Sequence, residues 1–168
     1  MNHPSVRAAT RTILVADEVW IAAALLHREH PKREDFTIAE IVARAEKERL
    51  YPTRRPGVYV HVVQHCVANR PPNPGRHRML YETRPGHRRL FRRGDDFHPK
   101  RDGAKVTPDP ADLPDSYHRL LTWYQERFVG RVSVEAVDPI LRLRGVGRDV
   151  WADEPPDAYV KSLREGWQ

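Results

Sequence analysis

The sequence predicts a mainly α-helical domain carrying a small β-hairpin, followed by a helical tail. Three observations predict it. Apolar residues recur at helical spacing in three segments before residue 70. Two short segments then flank a Pro-Gly pair, the mark of a turn. Fifteen prolines in 168 residues argue against one long helical bundle. The length suits one domain of ordinary size with an appendage. The expected division is a domain over 1–130 and a partner-binding tail over 131–168.

The first helix is expected from about Ala16 to His30, with Val19, Ala22, Ala23 and Leu26 on one stripe. Asp17 and Glu18 favour its start and Pro31 its end. Thr37-Ile38-Ala39-Glu40 reads as a capping box, in which the threonine hydroxyl takes an orphan amide and the glutamate reaches back. Ile38, Ile41, Val42 and Ala45 then define a second helix that ends near Leu50. A third opens at Pro56, where a missing N–H costs nothing. Its expected buried stripe is Tyr59, Val62, Val63, Cys66 and Val67, with His61, Gln64, His65 and Ala68 opposite.

Three prolines between Arg70 and Gly75 end regular structure. His77 to Glu82 and Arg88 to Arg92 read as two short strands joined through Pro85-Gly86. Three helices followed by a hairpin is the element order of a winged helix-turn-helix, whose third helix enters the major groove. Gly94 to Pro114 reads as a loop. A fourth helix is expected over Asp115 to Phe128, with Leu120, Leu121, Tyr124, Phe128 and Trp123 packed back on the domain. The tail carries a short helical turn from Asp138-Pro139, a stop at Gly145-Val146-Gly147, and a final helix after Pro156.

Charge is distributed unevenly. The chain has 29 Lys+Arg against 23 Asp+Glu, a formal net charge of +6, and a pI near 9.8. Residues 54–93 hold ten arginines, no lysine, and Glu82 as their one acid, a net of +9. Arg grips phosphates and guanine edges with paired hydrogen bonds. The stretch therefore points to duplex DNA. Arg54 and Arg55 are expected at phosphates near the start of the third helix. His61, Gln64 and His65 are expected at base edges, with Asn69 near the helix end. Arg76, Arg78, Arg84, His87, Arg88 and Arg89 complete the expected contacts, the last four on the wing.

Other chemistries find less support. His61-Val62-Val63-Gln64-His65 spaces two imidazoles as zinc proteases do, but Val62 stands where the catalytic Glu is needed. A structural metal on His61, His65 and His77 is the weaker alternative to plain helix histidines. Cys66 lies on the apolar stripe and reads as a small buried hydrophobe. The single Cys excludes an internal disulfide framework. No catalytic set, cofactor motif or metal motif is evident, so no enzyme is expected. The longest apolar run, Val19 to Leu26, is too short to span a bilayer. The first residues lack a charged start and apolar stretch, so a cytoplasmic location is expected.

Two stretches resemble known families. Gly57-Val58-Tyr59 through Asn69, Pro71-Pro72-Asn73-Pro74-Gly75-Arg76, Met79-Leu80-Tyr81-Glu82 and Arg89-Leu90-Phe91-Arg92 are similar to a winged-helix-like domain of bacterial and archaeal proteins, some attached to restriction-type nucleases. The likeness covers about residues 10–128 and implies DNA binding. Asp138-Pro139-Ile140-Leu141, Gly145 to Trp151, and Asp157-Ala158-Tyr159-Val160-Lys161 through Trp167 resemble the tail of VapB-type antitoxins. In that family the tail lies across a PIN-domain ribonuclease toxin and a basic side chain enters its acidic metal site. The resemblance implies that role for Arg164 or Arg148. The head of this chain is longer than that of ordinary antitoxins of the type.

Trp151, Tyr159, Leu163 and Trp167 suit a partner groove, the alternative being that they fold the tail onto the body. The function expected is a double-stranded-DNA-binding transcriptional regulator. The tail resemblance further implies the antitoxin of a toxin-antitoxin pair, its tail expected to bind a PIN-domain ribonuclease. The alternative is a winged-helix protein-interaction module without DNA. A homodimer is a further expectation, since symmetric pairing is common among DNA readers.

Overall fold

A computed structural model describes residues 12–129 of the chain. These belong to one compact unit, Met1–Gly130. The expectations for the tail, namely Arg148, Trp151, Tyr159, Leu163, Arg164 and Trp167 and the elements around them, lie outside the described residues.

The unit is mainly helical with a small antiparallel sheet. Helix α1 spans Val15–Glu29. Its expected stripe is exceeded: Ala16 through Leu25 are all buried, so this is a core helix covered on every side. Strand β1, Phe36–Thr37, follows and was not anticipated. Two residues carry no readable alternation. Helix α2 spans Ile38–Glu48 and begins with the expected capping box. Thr37 Oγ1 accepts from the Glu40 N–H at 3.2 Å, and Glu40 Oε2 accepts from the Thr37 N–H at 2.8 Å. The helix stops at Arg49, which takes a left-handed φ of 51°.

Helix α3 is short, Gly57–Val60, and runs on as a π-helical turn over His61–His65. The Cys66 N–H donates to His61 O, five residues back. This wider turn moves the buried stripe. Val58, Val62, Cys66 and Val67 are interior, whereas Tyr59, expected inside, is 58% exposed, with Val60 beside it at 43%. Ala68, expected on the outer face, is buried.

Strands β2 (Leu80–Arg84) and β3 (His87–Leu90) form the hairpin, and the sheet order is β1-β3-β2. Each strand is displaced by one to three residues from its expected bounds. The turn falls at Pro85-Gly86, with Gly86 at φ 79°, a conformation that favours glycine. Leu80 pairs with Leu90, Tyr81 with Arg89 and Glu82 with Arg88, before the register slips between Glu82 and Arg84. The connection over 94–114 contains two short 3₁₀ turns, Pro99–Arg101 and Pro110–Asp112.

Helix α4, His118–Trp123, is preceded by a 3₁₀ turn at Asp115–Tyr117 and continued by a π-helical turn, Tyr124–Val129. It packs back on the domain as expected. Tyr124 meets Trp20 edge-on at 5.6 Å between ring centres, and Phe128 meets His27 at 4.7 Å. Among the described residues, no helix is long and apolar enough to cross a membrane.

Candidate nucleic-acid interface

The arginine-rich segment runs through α3, the following loop and the hairpin, so the fold decides which guanidinium groups meet solvent. Arg88 and Arg89 do not. They were expected on the wing surface, but Arg88 is 1% exposed and Arg89 is 7% exposed. The reason is local and electrostatic. Adjacent hairpin residues point to opposite faces, and both faces of β3 are covered here. Arg88 Nη1 meets Glu82 Oε1 at 3.0 Å, and its Nε and Nη2 donate to Val62 O and Val63 O in the turn after α3. Arg89 forks onto Asp95 at 2.6 and 2.7 Å and lies 4.5 Å from the centre of the Tyr81 ring. A bidentate pair of this kind is strong and shape-specific.

Arg55 is likewise internal to the fold. It reaches Glu18 Oε2 at 2.8 Å and Ile13 O at 2.8 Å, tying the start of α1 to the entry of α3. The placement at a phosphate is therefore corrected, because its charge is met by a buried carboxylate. Arg70 pairs with Glu82, and the Arg70 guanidinium is the main reason that carboxyl is held below its ordinary range. Asn69 clamps the backbone of Glu82, donating to its carbonyl at 3.0 Å and accepting from its N–H at 3.0 Å. Arg78 lies 4.2 Å over the Phe97 ring.

The expected base-reading residues are also drawn toward the protein. His61 Nδ1 sits 2.9 Å from Gly57 O, and Gln64 donates to Pro71 O at 2.7 Å. His65 is half-buried against Gly75, where even a Cβ would stand 2.7 Å from that of His65. The rings of His61 and His65 lie 4.8 Å apart and His77 is 6.4 Å from His61. Burial holds His61 and His77 below the ordinary histidine value. Among the described residues, no group of three or more His, Cys, Asp or Glu is arranged to hold a metal ion.

Arg54, Arg76 and Arg84 are exposed, Arg54 at 78% and Arg84 at 63% of their side chains. Arg54 contacts Glu46 at 2.6 Å, and Arg84 at the hairpin turn lies 3.6 Å from Asp35. His87 Nδ1 meets the same Asp35 at 3.0 Å. The guanidinium groups of Arg54 and Arg84 are the exposed members of these pairs, and such pairs are weak and open to exchange for a phosphate. Of the arginines expected at DNA, Arg54, Arg76 and Arg84 thus keep exposed side chains, whereas Arg55, Arg88 and Arg89 turn inward.

Two features escaped the sequence reading. Tyr59 and Val60 give α3 an apolar outer face, beside a depression lined by Ile38, Val42, Arg54 and Tyr59. Arg101, lying outside the basic stretch, is fully buried. It donates to five carbonyls, those of Gln64, His65, Arg70, Pro71 and His77. It closes the C-terminal end of the third helix, whose carbonyls lack intrahelical partners. No signal in the sequence marks it. The Glu82–Arg88 partnership had none either, because a two-residue turn at Pro85-Gly86 would set Thr83 opposite Arg88, and the register slip between Glu82 and Arg84 puts Glu82 there instead.

The chain matches no protein-family model, no curated protein and no solved structure.

Proposed function

We propose that this chain is a winged-helix, double-stranded-DNA-binding regulator that serves as the antitoxin of a PIN-domain ribonuclease, and that it contacts DNA through fewer cations than its composition suggests. The observation that carries the DNA half is the element order α1-β1-α2-α3-β2-β3 with sheet order β1-β3-β2. A third helix followed by a hairpin is the arrangement with which winged helices read DNA, and it supports this reading. Arg54 before α3, Arg76 after it and Arg84 at the turn are the exposed cations of that arrangement named by the sequence. The support is at the level of fold and charge, and the toxin half rests on the resemblance of the tail.

The salt dependence of binding tests the DNA half. Three phosphate contacts give a slope of log K on log salt of about −3, against about −9 had the whole stretch been available. Fluorescence anisotropy on a random duplex measures it. Absence of binding at micromolar protein and about 150 mM salt overturns the reading. Co-purification with a coexpressed PIN-domain toxin tests the other half, because removal of residues 138–168 must abolish capture while sparing DNA binding.

A second reading is favoured by the exposed Tyr59 and Val60, because an apolar α3 surface suits a protein better than a phosphate backbone. In it the winged helix is a docking platform without DNA. Replacing both residues with Ser separates the two. Loss of a protein partner with unchanged DNA affinity supports the second reading, and loss of DNA affinity supports the first.

A further inference from the structure

A cavity of about 490 Å³ lies where the end of the hairpin, the loop after it and the last helical turn meet. Its walls are apolar and aromatic: Phe91, Phe97 and Tyr124, with Val106 nearby. The Tyr124 hydroxyl is already committed to Phe91 O, so that ring presents carbon rather than a donor. Polar groups complete the lining. Arg78 lines the cavity with its guanidinium 4.2 Å over Phe97, and among the described residues that guanidinium makes one hydrogen bond, a long 3.4 Å contact from Nε to Ala104 O. Arg93 stands exposed at the rim, and Thr107 and Gln125 add neutral donors.

The acid in the lining is spent. Both Asp95 oxygens are taken by Arg89, and one also accepts from the Arg92 N–H at 2.6 Å. The cavity therefore has two arginines in its lining, a carboxylate already paired, and apolar walls. A concave site of this size with a few convergent polar groups is the usual form of a small-molecule pocket. A flat guanidinium held against a ring keeps its outer N–H groups in the plane that a carboxylate can fork.

We propose that this cavity binds a small amphipathic organic anion, a carboxylate carried on an aromatic or branched apolar body. The anion pairs with Arg78 and Arg93, and the body packs on Phe91 and Phe97. This does not depend on DNA binding or on a toxin.

Isothermal titration of the full chain with naphthalene-1-carboxylate tests it, with naphthalene-1-carboxamide as the uncharged comparator. The expected result is saturable one-to-one binding of the carboxylate, weakened about tenfold for the carboxamide, since a lost charged hydrogen bond is worth about one decade. Arg78→Met and Arg93→Gln are each expected to weaken the carboxylate about as much. Arg93 is exposed, so its variant leaves the fold intact even if Arg78→Met does not. Thr107→Trp, which fills the space, is expected to abolish binding. No saturable heat up to millimolar carboxylate, equal affinity for the carboxamide, or unchanged affinity in Arg93→Gln and Thr107→Trp overturns the proposal.

Discussion

Glu82 and Arg88 are direct partners across the hairpin, and their side chains meet at 3.0 Å with Arg88 almost wholly buried. Removing the guanidinium takes one of the two arginines paired with Glu82 among the described residues, and takes the side-chain donors from Val62 O and Val63 O. Arg88→Met is expected to lower unfolding stability by about 3 kcal/mol, the cost of breaking a buried charge pair. Urea denaturation followed by circular dichroism measures it. A midpoint within error of the parent would show that the pair contributes nothing. In DNA-binding assays this variant, and Arg89→Ala, report on folding rather than on contact.

Asp17 and His27 give opposite pH dependences. Asp17 is fully buried in α1 with no hydrogen-bond partner on either oxygen among the described residues, and burial pushes its carboxyl up to about 6 from 3.8. The folded state keeps that proton while the unfolded state releases it, so stability falls as pH rises from 3.8 to about 6. His27 is buried and accepts from the Leu90 N–H, and burial lowers it to about 3 from 6.5. The unfolded state takes that proton first, so stability falls as pH drops from 6.5 toward about 3. Asp17→Asn is expected to gain roughly 2–3 kcal/mol at pH 7.5 and nothing near pH 3.5. Denaturation midpoints across that range check it, and a variant that is no more stable at neutral pH contradicts it.

Arg101 holds five carbonyls that a lysine cannot reach together. Lys offers a point charge on a flexible stem rather than a planar fork. Arg101→Lys is therefore expected to cost about 2 kcal/mol and Arg101→Met about 3 kcal/mol, through unsatisfied buried acceptors. Thermal melts of both variants decide the matter. A lysine variant that melts with the parent would show that the fork geometry is dispensable.

Arg84 stands at the hairpin turn, 63% exposed beside Asp35. If it meets a phosphate, Arg84→Ala makes the salt slope shallower by about 1 and weakens binding about equally on all sequences. Anisotropy titrations at several salt concentrations on two unrelated duplexes measure both. An unchanged slope removes the turn from the interface.

The helices and the hairpin were legible because local chemistry dictates them. Thr37 and Glu40 cap α2 through neighbours in sequence, and Pro85-Gly86 sets its own turn. The stripe of α3 was misread because periodicity assumes 3.6 residues per turn, and the π-helical turn rotates Tyr59 out and Val58 in. Strand β1 was missed because two residues form it through pairing with a strand some fifty positions away. The candidate site was the least legible part. Composition reports how many arginines a segment holds but not which of them turn inward, and Glu18 and Asp95, which hold Arg55 and Arg89, lie outside the segment.

The burial of Arg101 fixes how short a self-sufficient version of this domain can be. A fragment cut after the hairpin keeps α1 to α3 and all three strands yet loses the plug that seals the end of the third helix. It also loses Tyr124 and Phe128, which cover Trp20 and His27. What looks in the sequence like a spacer after residue 93 is a girdle, and the head must be made through Phe128 to hold its shape.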